Sequence, residues 1–144
     1  MQKFKDLLKQ HKLKATPQRL AVHNVMLGLI HASAEQVTAV LKEESDLKVS
    51  VSSVYNILSQ MASLGIYGRR LSVNNTMFFD VNPASHLHLY DPQNNIFKDI
   101  QDPELMRELE ERIKKHRYRG FRVSNVEVNV ICHPPKKRKK QNKK

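Results

Sequence analysis

Residues 51–80 read VSSVYNILSQMASLGIYGRRLSVNNTMFFD, and the change of period inside them decides the fold. Val54, Ile57, Leu58, Met61 and Leu64 recur at helical spacing. Ser50 or Ser52 can cap this helix at its start, and Gly65 ends it as a C-terminal cap glycine. Past Gly65 the pattern turns to two strands, 66–73 and 76–80. Asn74-Asn75 lies between them and tolerates the positive φ of a tight hairpin turn. Working back from this stretch, Phe4, Leu7 and Leu8 mark a short amphipathic helix over 4–11. Thr16-Pro17 opens a second helix, which carries Leu20, Val22, Val25, Met26 and Leu29 to about Ile30. His31-Ala32-Ser33 reads as a break. Ser33 with Gln36 has capping-box spacing for a third helix, whose buried face is Val37, Val40 and Leu41. Three helices, a further helix and a hairpin are the order of a winged helix-turn-helix. In such a fold helix 51–64 would enter the DNA major groove and the hairpin would be the wing.

Working forward, Asn82-Pro83-Ala84-Ser85 reads as a hinge. Strands are expected over 86–90 and 96–100 around the turn Asp91-Pro92-Gln93-Asn94-Asn95. Asp102-Pro103 caps a helix to about His116, with Leu105, Leu109 and Ile113 four apart. A third strand is expected over 121–132, with Val126, Val128, Val130 and Cys132 on one face. The expected class is α+β. Residues 1–81 would form an N-terminal winged helix-turn-helix domain, 82–85 a hinge, 86–132 a small α/β dimerisation domain, and 133–144 a basic disordered tail. Three strands and one helix bury little apolar area alone, so a homodimer is expected. Its twofold symmetry would match a palindromic double-stranded DNA operator.

The composition agrees with a nucleic-acid partner. The 144 residues carry 25 Lys and Arg against 14 Asp and Glu, a net charge of +11. Seven of those basic residues lie in the tail KKRKKQNKK (136–144), which leaves +4 on the rest. A polyanion is the partner such a charge suits. Apolar residues make up 40% of the chain, yet no run nears the roughly 20 that a membrane span needs. No secretory leader is visible. Cys132 is the single cysteine, which excludes an internal disulfide and a four-thiolate zinc site within one chain. The reading is a cytoplasmic protein. The four glycines form no phosphate-binding loop and no nucleophile elbow.

His31, Asp80, His86, His88 and Asp99 are the residues that carry chemistry. His86 and His88 are two apart on an expected strand, so they share a face. Asp80 ends the wing and Asp99 ends the neighbouring strand. Three imidazoles and two carboxylates suit Fe(II) or Mn(II) and tolerate Zn(II) or Ni(II). The pattern also admits a plainer reading, two hydrogen-bonded strand histidines and a loop histidine. A metal at such a site would bridge the two halves and select a DNA-competent geometry.

Four segments resemble the ferric uptake regulator family: Leu13-Lys14-Ala15-Thr16-Pro17-Gln18-Arg19, His31-Ala32-Ser33-Ala34-Glu35, Val51-Ser52-Ser53-Val54-Tyr55-Asn56-Ile57-Leu58, and Phe79-Asp80 with His86-Leu87-His88. The resemblance covers roughly residues 5 to 132. It is strongest to the peroxide-sensing branch, whose two Asp and three His metal ligands correspond here to His31, Asp80, His86, His88 and Asp99. The iron-uptake branch usually has glutamates at the two Asp positions. The resemblance implies a dimeric, metal-dependent bacterial repressor. In it, bound Fe(II) reacts with hydrogen peroxide, a ligand histidine gains an oxygen atom and DNA is released. His31 and His86 are the oxidation candidates. Departures are also plain. Asp91 and Asn94 stand where the family usually has one CxxC pair, and Cys132-His133-Pro134-Pro135 where it has the second. No structural zinc is therefore expected. Ser85 and Leu87 replace ligands of a secondary site of iron regulators. Cys132-His133 offers a haem-ligand pair or, more simply, a buried strand-end thiol.

Roles at DNA follow from position. Ser52, Ser53, Tyr55 and Asn56 lie in the first turns of the recognition helix, where base edges are met. Tyr55 can touch a thymine methyl or a phosphate, and Asn56 can pair with adenine. The other reading of Tyr55 is a packed core aromatic. Lys14 and Arg19 suit phosphates, and Arg69 and Arg70 on the wing suit phosphates or a minor groove. Beside the peroxide reading stand an iron- or manganese-responsive regulator of metal homeostasis, a metal-free basic nucleic-acid-binding protein and a small metalloenzyme. The last lacks an evident general base or substrate pocket, so no enzyme is expected.

Overall fold

The computed structural model describes residues 1–83, 87–123 and 126–136. The chain divides into two compact units, Met1–Ala84 and Ser85–Lys144.

In the first unit the caps sit where local chemistry puts them. Helix α1 spans Gln2–Gln10 and buries Phe4 and Leu8. Helix α2, Pro17–Leu29, starts with Pro17 at its first position and the Thr16 hydroxyl accepting the Arg19 N–H. Helix α3, Ala34–Glu44, opens on a complete capping box. The Ser33 hydroxyl accepts the Gln36 N–H at 3.2 Å, and the Gln36 side chain accepts the Ser33 N–H at 3.0 Å. Helix α4, Val51–Ser63, is capped by Ser50 and buries Val54, Leu58 and Met61. It ends in a Schellman motif, with the Ile66 N–H on the Met61 carbonyl and the Gly65 N–H on the Ala62 carbonyl. Gly65 takes the required positive φ of 76°. Phe4, Leu8, Val22, Met26, Val54 and Leu58 belong to one core that the four helices share.

The wing hairpin pairs β2, Gly68–Leu71, with β3, Met77–Asp80. Asn75 supplies the positive φ, 61°, in its turn. One expectation needs correction here. His31-Ala32-Ser33 is a strand, β1 (His31–Ser33), rather than a break. It pairs antiparallel with β3, giving a three-stranded sheet in the order β1-β3-β2. Three residues are too few to show alternation, and their partner strand lies far along the chain. Ile30, just before β1, has φ 65° and ψ −52°. That is a strained setting for a β-branched residue, and it turns the chain out of α2 into the sheet.

In the second unit β4, Leu87–Asp91, pairs antiparallel with β5, Ile96–Ile100, and parallel with β6, Val128–Ile131. Helix α5, Pro103–Lys115, has Asp102 as its N-cap. Two expectations shift. Among the described residues the third strand is β6 alone, and ahead of it Gly120 takes φ 82° and the Phe121 N–H closes a turn on the Tyr118 carbonyl at 2.9 Å. On α5 the residue facing the core is Met106, with Leu109 and Ile113 packed beside it, while Leu105 is exposed. Steps of three and four follow the 3.6-residue turn, whereas strict steps of four drift off the face. Among the described residues no helix is long and apolar enough to cross a membrane.

Candidate metal and nucleic-acid sites

Each unit contains a histidine–aspartate pair with one buried member, built by the same device. In the first unit the β1–β3 register sets His31 directly opposite Asp80. The His31 Nε2 atom lies 3.1 Å from Asp80 Oδ2. The other carboxylate oxygen, Oδ1, accepts the Asn82 N–H at 2.8 Å, which fixes the rotamer. Asp80 is only 2% exposed. In the second unit the β4–β5 register sets His88 opposite Asp99, with Nε2 3.2 Å from Oδ1. His88 is fully buried and meets Phe97 edge-on, while Asp99 keeps partial exposure. Side chains directly opposite on antiparallel strands are close neighbours, so register alone brings each pair within hydrogen-bond reach.

Burying a carboxylate is costly unless a partner or a cation compensates it. Imidazole nitrogen beside carboxylate oxygen is also a donor set that borderline divalent ions accept. These four side chains are metal-competent residues. The fifth expected ligand, His86, lies outside the described residues, as do Ala84 and Ser85 of the expected hinge.

The residues expected at DNA lie on the first unit. Ser52, Tyr55 and Asn56 are exposed on α4 and Ser53 is half-buried, its hydroxyl accepting from Ser50. Tyr55 is 44% exposed and sits edge-on to Phe79, so it is a surface aromatic resting on the wing sheet rather than a core residue. Lys14 and Arg69 are exposed. Arg19 is more than a phosphate candidate. Its guanidinium donates to the Lys14 carbonyl at 2.8 Å and to the Gln60 side chain at 3.2 Å, tying the α1–α2 loop to α4. Sequence reading missed this clamp, because its partner lies 41 residues away.

At the expected CxxC positions, the Asp91 carboxylate accepts the backbone N–H of Gln93 and of Asn94 and the Asn94 side-chain N–H at 2.8 Å. The Asn94 side chain foremost, then these backbone donors and nearby His133, hold the Asp91 pKa below its usual value against the opposing effect of burial. Cys132 is a half-buried free thiol, 3.5 Å from the Tyr90 carbonyl.

Comparison with known proteins places this architecture. A peroxide-responsive repressor, PerR, of Staphylococcus aureus is 28% identical over 128 residues, 87% of this chain and 84% of that protein. A Campylobacter jejuni peroxide stress regulator is 26% identical, with a TM-score of 0.64 over 92% of this chain and 96% of that one. A Pseudomonas aeruginosa ferric uptake regulator, solved with manganese, is 24% identical with a TM-score of 0.67, covering 90% and 96%. The model of the ferric uptake regulator family matches residues 10–131. The chain therefore belongs to the ferric uptake regulator family, whose members are metal-responsive transcription regulators and not enzymes.

Proposed function

We propose that this protein is a dimeric, metal-dependent DNA-binding repressor of the bacterial cytoplasm that senses peroxide through oxidation of its metal-ligand histidines. The observation that carries the reading is the paired construction of the site. Two independent sheets each set a histidine against an aspartate, at 3.1 Å and 3.2 Å, with one member of each pair buried. His31, Asp80, His88 and Asp99, completed by His86, hold one regulatory ion, Fe(II) or Mn(II). Asp at positions 80 and 99 and the likeness to peroxide-responsive relatives favour the peroxide branch. Bound Fe(II) would supply the electrons that cleave the peroxide bond. The chain's own residues do the rest. Asp80 and Asp99 offer carboxylate oxygens beside the Nε2 atoms of His31 and His88, and burial of His88 restricts water. His31 and His86 are the side chains that take up oxygen. In residues 1–81, Ser52, Ser53, Tyr55 and Asn56 meet base edges, while Lys14, Arg19 and Arg69 meet phosphates of a palindromic duplex. Residues 86–132 pair two subunits. Structural zinc is not required, since Asp91 and Asn94 brace the turn themselves.

Peptide mass spectrometry after a peroxide pulse tests this reading, on protein loaded anaerobically with Fe(II) and on a Mn(II) control. Addition of one oxygen to His31 or His86 in the iron sample alone is the expected result. Unmodified histidines despite bound iron would instead make this a metal-level regulator. Asp80→Asn and Asp99→Asn should each weaken Mn(II) binding by at least about tenfold in calorimetry, given that even outer-shell changes reach that size. Full affinity in both would overturn the ligand assignment.

A further inference from the structure

A second basic surface lies apart from the residues assigned to metal and to duplex DNA, within the segment 86–132 proposed to pair subunits. The segment from Arg112 to Val126 reads RIKKHRYRGFRVSNV and contains no acidic residue. Lys114 and Lys115 have a structural reason to be there, since cations at the end of α5 oppose its dipole. Arg117, Arg119 and Arg122 lie beyond the helix and have no such reason. All three are exposed. Among the described residues none of the three forms an ion pair with a carboxylate, so their charge is turned to solvent.

Two aromatic rings stand among the arginines. Tyr118 is 43% exposed and Phe121 is 83% exposed. They are the ends of one tight turn, closed by the Phe121 N–H on the Tyr118 carbonyl at 2.9 Å, with Gly120 at φ 82°. Gly120 supplies a positive φ that other residues resist, so the turn is built rather than slack. Tyr118 is also braced by the His116 ring at 6.5 Å. Around the turn lies a concavity of about 580 Å³, lined by Lys114, Arg117, Tyr118, Arg119, Phe121 and Arg122.

We propose that this turn is a second nucleic-acid surface, specific for unpaired strands, in which Arg117, Arg119 and Arg122 grip phosphates while Tyr118 and Phe121 stack on bases. Cations alone would suit a duplex equally well. A duplex, however, hides its base faces, so exposed rings gain nothing from it, whereas a single strand offers a base face to each ring. A second copy of this chain is a poorer occupant. Where twofold symmetry brings the patch onto its own copy, like charges meet at an electrostatic cost.

Fluorescence anisotropy of the full chain tests the proposal, using labelled dT20 and a 20-base-pair duplex of arbitrary sequence, each with Mn(II) and with chelator. Wild type should bind dT20 equally in both conditions, so failure of the metal-dependent operator reading leaves this result untouched. The double variant Tyr118→Ala/Phe121→Ala should lose about tenfold or more in dT20 affinity, keep its salt slope and keep its duplex affinity. Arg117→Ser/Arg119→Ser/Arg122→Ser should weaken dT20 binding and reduce the salt slope by about 2. Circular dichroism melts should match wild type, because the replaced side chains are exposed. An unchanged dT20 affinity in the aromatic variant overturns the proposal. So does an equal loss on duplex, which would mean a phosphate-only surface. Loss of dimer in sedimentation velocity would assign the rings to a subunit interface and overturn it too. Binding to phosphatidylserine vesicles that depends on Phe121 without any dT20 effect would assign them to a membrane surface.

Discussion

His23 shows how one side chain can couple this fold to pH. Its ring is stacked on Phe4 at 3.8 Å, and its Nδ1 lies 2.6 Å from the Tyr67 hydroxyl. Burial first, then the nearby amino terminus, lowers its pKa to about 4. Burial raises that of Tyr67, so the phenol keeps its proton and lies within hydrogen-bond distance of Nδ1. The unfolded chain binds a proton at this residue near pH 6.5, and the folded chain refuses it until about pH 4. The stability His23 contributes is therefore complete above pH 6.5 and drains away as pH falls toward 4. Urea unfolding at pH 7 and pH 5 should show wild type losing about 2 kcal/mol more than His23→Gln over that interval. Equal losses in the two proteins would show that His23 is not held neutral. The same locality governs the histidine–aspartate pairs: the residue types were legible as candidate ligands, while the oxygen of Asp80 that faces His31 was set by the Asn82 N–H on the other oxygen.

At the scale of elements, the capping chemistry was legible almost throughout. Thr16, Ser33, Ser50 and Asp102 cap the helices their positions predict, since a cap acts on groups two or three residues away. The end of α4 is the sharpest case. Replacing Gly65 with Ala keeps the space, because nothing lies within 4 Å of an added Cβ, but strains a backbone held at φ +76°. Gly65→Ala should lower stability by about 1–2 kcal/mol in thermal unfolding, and Gly65→Asn by less. A neutral Gly65→Ala would mean that the Schellman geometry is not kept. The recognition surface proposed for the same helix makes a separate prediction. Asn56→Ala should cost about 1–3 kcal/mol on the operator and nothing on unrelated duplex, as gel-shift competition would report. Equal losses on both would assign Asn56 to the backbone instead. Strand β1 was missed because its identity depends on pairing with β3 and on nothing local.

For the whole molecule, charge is the property read most directly. Seven of the +11 charges lie in residues 136–144, a segment whose contribution is countable without a structure. Deleting those residues should weaken binding to all duplexes alike and lower the salt slope by about one for each phosphate no longer neutralised. Weakening confined to one sequence would contradict an unspecific role. Removing the proposed regulatory metal should do the opposite, lowering operator affinity while leaving the unspecific background.

Sequence alone determined what local chemistry controls. It set the caps, the helical faces other than that of α5, the Asn75 and Gly65 turns, the two-part α+β plan and the ligand-type residues, because each acts over a few neighbours. Tertiary structure decided what depends on distant partners. It made His31 a strand residue opposite Asp80 and turned Arg19 into a clamp on Gln60. It also set the last described strand, Val128–Ile131, parallel beside β4. Register pairs residues far apart in the chain, and no local pattern encodes which ones will meet.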